Sequence, residues 1–327
     1  MRVVWPVGED FWWEVARACP EATFFHTPLW HRLIERSLPP CRDATAGFVL
    51  EGGLRAVLPL LEVARPIRGI FRELVSTFGG CYGGVIAEGA PSAVALEQAW
   101  KAVLGSGRLA RLQLAGNPLS AGRSPWEDQG STDDFTQMID LTPGFDAVER
   151  GFSESCRRHA RKAREAGVVV EAARDEGSYR SYYEVYEDSL KRWGAGATSR
   201  YPWRLLEAGR GLSLDHPGTM ELWTARQDGR MAAGAWVFYW NRHAVYWHGA
   251  TRADALALSP GHLLHARIIE DACARGLAWY DFNPSGGHEG VARFKSGFGA
   301  RPHRVARREV TGRLYSGASA LVRALRG

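Results

Sequence analysis

The chain is poor in the features that mark several large protein classes. It has five cysteines (Cys19, Cys41, Cys81, Cys156 and Cys273), an odd and scattered set with no C-x-x-C spacing. That distribution excludes a disulfide framework or a cysteine zinc site and fits free thiols in a reducing compartment. No apolar run approaches the ~18 residues that a membrane-spanning helix needs. The opening stretch, Met1 to Pro20, carries Glu9, Asp10 and Glu14 within its apolar run and does not read as a signal peptide. A cytoplasmic location is the expectation. There is no G-x-x-x-x-G-K-[ST] for a nucleotide phosphate loop and no G-x-S-x-G for a hydrolase elbow. His288-Glu289 is followed by Ala292 where H-E-x-x-H requires a second histidine, so no metal site is expected. The remaining histidines look dispersed, structural or on the surface.

What is present is a globular composition of 327 residues, 45% hydrophobic and 24% charged, long enough for two ordinary domains. Thirteen Trp and thirteen Phe supply a core. The net charge is only +5, but it is unevenly spread. Residues 291–327 carry nine Lys/Arg against the single acid Glu309. Residues 150–167 carry six Lys/Arg against Glu154 and Glu165. Basic charge concentrated in this way suits phosphate groups, RNA or anionic lipid, and equally a solvated basic face.

Hydrophobic periodicity gives a repeated rhythm, without a detectable sequence repeat. A helix is predicted over Pro28–Arg36, then a hairpin of 46–50 and 54–63 turned by Glu51-Gly52-Gly53. A glycine-rich passage (79–84), a helix over 92–104 and strands over 108–115 and 135–141 follow. The second half opens on a basic helix, 153–166, and a strand, 168–172. Next come a helix over 179–193, strands 220–226 and 231–240 turned by Gln227-Asp228-Gly229-Arg230, and a strand over 244–249. A helix over 262–275 has Ser259 as expected N-cap and Pro260 in its first turn. Strands over 277–283 and 302–310 end the series. Strand, strand, strand, helix, strand, helix, strand is the order of an acyltransferase fold of the GNAT type. The expected class is α/β (α+β), two tandem GNAT-like domains with mixed central sheets. Their expected spans are 1–145 and 146–310, with 311–327 a candidate to complete the first.

The most informative segment is Tyr280-Asp281-Phe282-Asn283-Pro284-Ser285-Gly286-Gly287, continued by Phe294-Lys295-Ser296-Gly297-Phe298-Gly299. It resembles the close of the second domain in the FemABX-type, aminoacyl-tRNA-dependent peptidyltransferases (FemAB-like and BioF2-like acyltransferases), with their F-K-x-x-F-G element. Ser155-Cys156-Arg157-Arg158-His159-Ala160-Arg161-Lys162-Ala163-Arg164 is similar to the family's S-x-x-R-R-x-x-R-K-A opening of that domain. Phe25-His26-Thr27-Pro28-Leu29-Trp30 and the Gly79–Gly84 stretch resemble its first domain more weakly.

The resemblance implies attack of an acceptor amine on the ester carbonyl of an aminoacyl-tRNA, with no metal or further cofactor. It places Lys295, read as an exposed cleft lysine, at the reaction centre, and Phe294 beside the terminal adenosine. Arg301 and Arg304 join them as candidates for binding the donor tRNA. A phosphate-bearing peptidoglycan precursor or a small peptide would be the acceptor, bound by Arg32 or Arg36, Tyr82, and Arg157, Arg158 and Arg161. Tyr246, His248 and Asp281 are candidate cleft residues, each with an equally good structural role. Two departures stand out: no long coiled-coil arm is inserted in the second domain, and Asn283-Pro284 occupies a place where a small residue is expected. The rivals are an acyl-CoA or acyl-carrier-dependent N-acyltransferase and a non-catalytic RNA-binding module. The first needs a glycine-rich loop at a helix N-terminus for the CoA pyrophosphate, where residues 257–262 offer one glycine and a proline.

Overall fold

The computed structural model describes residues 1–67, 69–79, 82–105, 108–120, 126, 130–197, 200–312 and 314–316. The chain forms two compact units, one of residues 1–134 with those from 304 onward, the other of residues 135–303. Each has its own core.

The first unit opens with β1 (Arg2–Val4), α1 (Glu9–Ala18) and α2 (Pro28–Ser37), the last with proline at its first position. Then follow β2 (Arg42–Asp43), β3 (Ala46–Val49), β4 (Arg55–Leu58), β5 (Leu61–Ala64), β6 (Arg72–Val75), β7 (Ile86–Ala87), α3 (Ala93–Leu104) and β8 (Leu109–Ala115). The turn between β3 and β4 places Gly52 and Gly53 at φ of 74° and 81°, where a side chain would be strained. The expected strand 54–63 is two strands. Pro59 interrupts it, because proline has no N–H to continue a ladder. β4 joins the antiparallel order β1-β3-β4-β7, whereas β5 pairs with β2 and β6, and β6 runs parallel to β8.

The second unit takes residues 135–140 of β9 (Thr132–Asp140), then α4 (Phe145–Arg150), α5 (Glu154–Glu165), β10 (Val169–Ala173), α6 (Glu176–Trp193) and α7 (Trp203–Asp215). It continues with β11 (Met220–Gln227), β12 (Arg230–Trp240), β13 (His243–Thr251), α8 (Pro260–Ala274), β14 (Trp279–Pro284) and α9 (Glu289–Ser296). Its strands run in the order β10-β11-β12-β13-β14-β9, all antiparallel except the parallel pair β13 and β14. A last strand, β15 (Arg301–Thr311), pairs over Arg307–Thr311 with β8. The unit boundaries therefore lie at 134/135 and 303/304, beside an expected division at 145/146 and 310/311. Met138–Asp140 are committed to β14, and Arg307–Thr311 to β8.

α7 has no counterpart in the sequence reading, because Gly209 and Gly211 weaken its helical signal. Gly209 has a packing reason: a Cβ there would stand 2.0 Å from the Trp236 ring of β12. The core of the second unit is built on Val237, Ile268, Ile269, Tyr280, Phe282 and Phe298, all essentially without solvent exposure. Among the described residues, no helix is long and apolar enough to cross a membrane.

Candidate active site

Two features of the second unit open a cavity. β13 and β14 pair only at His243–Val245 with Trp279–Asp281. On its other edge β13 carries a bulge: Trp236 faces His248 and Val237 faces Tyr246, leaving Trp247 as the extra residue. Bulges bend a strand and re-aim its side chains. Beyond the short parallel pairing lies a cavity of about 320 Å³. Tyr246, Gly249 and Thr251 of β13, His262 and His265 at the start of α8, and Phe294 of α9 are among its walls.

Three histidines, His159, His262 and His265, come together here, although the histidines look dispersed in the sequence. The His265 ring lies 4.5 Å from Tyr246, 5.0 Å from Phe282 and 5.5 Å from Phe294, centroid to centroid, and its Nδ1 is hydrogen-bonded to the Tyr280 hydroxyl at 2.7 Å. His262 packs against His159 at 4.7 Å and Phe294 at 4.9 Å. His248 is hydrogen-bonded through Nδ1 to Tyr182 at 2.6 Å. Burial disfavours the imidazolium of His248, His262 and His265. It lowers the pKa of His248 and His262 to about 4 and that of His265 to about 3, with the charges of His262 and Lys295 adding to the effect at His265. All three are neutral at pH 7. Burial also raises the Tyr246 phenol to about 12, so it remains protonated.

Behind Phe294 sits the lysine singled out by its motif. Lys295 is buried, not exposed, at 2% accessibility, and its ammonium donates to the Asn283 carbonyl at 2.6 Å. Asn283 adopts a φ of 63°, a left-handed conformation that asparagine tolerates better than most residues. Its N–H donates to Asp281 Oδ1 at 2.8 Å. The same carboxylate, fully buried, accepts from Thr136 at 2.5 Å and is hydrogen-bonded to His243 Nε2 at 3.1 Å. Gln137 fixes α9 by donating to Ala292 O at 3.0 Å and Ser296 Oγ at 2.8 Å, while accepting from Ser285. Asn283 Oδ1 is buried and has no hydrogen-bond partner among the described residues. A cation, a strained carbonyl and an acceptor oxygen thus meet at the end of β14.

Other sequence candidates fall elsewhere. Tyr82, in the first unit, is wholly buried and packs edge-on against Phe25, which makes it a core residue. Gly80 and Cys81 of the glycine run lie outside the described residues. Arg32 pairs with Glu9, and Arg36 is exposed. Arg157 donates to the carbonyls of Glu149, Arg150 and Phe152 and so caps α4; it does not project as a free cation. Arg161 makes a long, exposed pair with Glu165, and Arg158 is exposed beside it. Arg301 is exposed, whereas Arg304 pairs with Asp133 at 2.7 Å. His262 and His265 escaped notice in the sequence, although their i, i+3 spacing marks one face of a helix. Ser259 stands at the N-cap of α8 as expected, but it is left-handed (φ 58°) and its side chain makes no cap bond.

Residues 150–296 match a family described as the acetyltransferase (GNAT) domain. The matched residues lie within the second unit. A solved structure titled FemX matches at a TM-score of 0.74 and 13% identity, covering 97% of this chain and 99% of its own. The C-terminal domain of a putative lysylphosphatidylglycerol synthetase from Agrobacterium fabrum matches at 0.55 and 13%, covering 97% and 95%. A tandem GNAT protein from the clavulanic acid biosynthesis pathway matches at 0.50 and 13%, covering 95% and 98%. No curated protein matches the chain in sequence. The fold is thus the FemABX-type tandem GNAT fold that the F-K-x-x-F-G and basic-helix motifs led one to expect.

Proposed function

We propose that the chain is an aminoacyltransferase that takes its acyl group from aminoacyl-tRNA and forms an amide on an amine acceptor. The observation that carries this reading is the entrance to α8. A CoA pyrophosphate needs several unpaired N–H groups at a helix N-terminus. Here Pro260 has none, the Ser259 amide is bonded to Leu256 O at 3.0 Å, and the His262 amide to Ser259 O at 3.1 Å. Lys162 reaches the neighbouring Ala257 carbonyl at 2.7 Å. This loop is a poor phosphate cradle, which favours a donor held by other surfaces. The similarity to FemX agrees with that choice.

In the reaction the acceptor nitrogen forms a C–N bond to the ester carbonyl carbon, and the ester C–O bond breaks. The amine proton ends on the released tRNA hydroxyl. The ester is already activated, so no metal or separate cofactor is called for. Negative charge gathers on the carbonyl oxygen at the tetrahedral stage, and Lys295, held by Asn283, is the cation assigned to it. Arg158 remains a candidate for a phosphate or carboxylate on the acceptor. Incubating the purified protein with charged tRNA and a candidate amine, beside acetyl-CoA with the same amine, tests the reading. Amide formation from tRNA alone supports it, whereas product from acetyl-CoA alone transfers the chain to the rival class.

A further inference from the structure

We propose that the cavity between β13, α8 and α9 receives the side chain of the transferred acyl group and selects a neutral, apolar one of modest size. This inference rests on the aminoacyl-transfer reading. The cavity adjoins the reaction centre: Phe294 lines it and precedes Lys295, and the charge of Lys295 is felt at His265, another of its walls. At about 320 Å³ it lies at the small end of ligand cavities, which run from ~300 to 1,000 Å³.

Its chemistry excludes charge of either sign. No aspartate or glutamate is among the described residues that line it, so a lysyl or arginyl side chain would leave water there for no counter-ion. The one cation at its wall, Arg192, donates to Thr251 O at 3.1 Å and Ser189 Oγ at 3.3 Å and faces Asp188 at 3.8 Å, so it is already balanced. Its two histidines are hemmed in by aromatic rings and carry no charge at pH 7. What remains for an occupant is rings, methyls and weak dipoles.

Gly261 sets the room available. A Cβ at this position would meet Thr251 Oγ1 at 3.9 Å and Phe294 Cζ at 4.0 Å, ordinary contact distances. A side chain there fills space without straining the backbone. Gly249 and Gly234 are different, since a Cβ there would collide with the Tyr246 hydroxyl at 2.3 Å or the Tyr182 ring at 2.4 Å.

The test uses ligand-observed NMR with leucinamide and lysinamide on the full chain, wild type and Gly261→Val, followed by transfer assays from leucyl- and lysyl-tRNA. Leucinamide is expected to bind at least about tenfold more tightly than lysinamide. Gly261→Val should remove leucinamide binding while melting at or above the wild-type temperature, since glycine in a helix is unfavourable. Equal binding of lysinamide, no binding of leucinamide, or leucinamide binding untouched by Gly261→Val overturns the proposal. Should the folding of Gly261→Val be in doubt, Gly261→Ala supplies the milder step in the same direction. The donor reading fails separately: amide selectivity without transfer from any charged tRNA leaves the pocket standing and removes the tRNA. Transfer from both charged tRNAs at equal rates does the reverse.

Discussion

The Lys295 ammonium donates to the Asn283 carbonyl at 2.6 Å, and that carbonyl is presented by a residue held at a φ of 63°. A buried lysine is thereby tied to a strained strand end, and the strain is itself secured by Asp281. Under the proposed function, catalysis and stability are joined at this point. Lys295→Ala should lower turnover on the order of 10²-fold, as loss of one oxyanion donor does. It should also lower the melting temperature, because a buried carbonyl then loses its donor, at a cost of about 1–3 kcal/mol. Lys295→Arg should retain partial activity. Steady-state kinetics and thermal unfolding of both variants check this, and near-normal turnover in Lys295→Ala would remove the lysine from the mechanism.

Asp281 tests the support beneath that pair. Asp281→Asn keeps the shape and can keep an oxygen on the donors Thr136 and Asn283 N–H, but it removes the buried charge and replaces the oxygen facing His243 Nε2 with an NH2 group. A loss of about 1–3 kcal/mol in urea unfolding is expected. In the folded fraction, kcat should fall more than the KM of either substrate, since the residue positions Lys295 and touches neither substrate. A fall confined to KM would contradict this.

The two neighbouring arginines of α5 should behave differently. Arg157→Ala strips a cap from α4 and should cost on the order of 1 kcal/mol of stability without altering the acceptor KM. Arg158→Ala should leave the melting temperature unchanged and raise that KM. An unchanged KM in Arg158→Ala removes the basic helix from acceptor binding.

Acid should destabilise the fold from pH 6.5 downward. His248, His262 and His265 titrate near 4, 4 and 3 when folded, against an ordinary 6.5. Between pH 6.5 and 4 the unfolded chain binds more protons, so stability falls with falling pH; below that range the folded histidines protonate too and this contribution levels off. Urea midpoints across pH 7.5 to 4 measure the slope. His262→Phe should make it shallower, and an identical slope would show that His262 is not held neutral by the fold.

Binding of tRNA should weaken steeply with salt, because phosphate contacts release counterions. Replacing the exposed Arg301 with Ala should reduce the log–log slope by about 1 if it touches one phosphate. Filter binding across 50–200 mM salt checks both, and a flat dependence counts against a polyanionic donor.

Much of the fold was legible because its signals are local. The helix over Pro28–Ser37 follows from an initial proline and apolar spacing, and the hairpin at Gly52-Gly53 from residues that accept positive φ. The second-unit order of strands and helices came through with end points shifted by a few residues. Pro59 is a local signal for a break, but it sits inside an apolar run whose pattern is that of one strand. α7 was lost because its Gly209 answers to Trp236, a residue 27 positions later that propensity does not see.

The sequence by itself singled out Phe294-Lys295-Ser296-Gly297-Phe298-Gly299, a pattern dense enough to name a fold. It also determined that residues 257–262 lack the glycines of a phosphate loop. Only the tertiary structure decided that Lys295 is buried on the Asn283 carbonyl, that Arg157 caps a helix, and that His262 and His265 share one cavity with Tyr246. The reason is physical. Charge, size and turn preference belong to a residue and its near neighbours, whereas burial and hydrogen-bond partnership are set by strands and helices that meet across the fold. Asp281 accepts from a threonine 145 residues away, and no local pattern encodes that meeting.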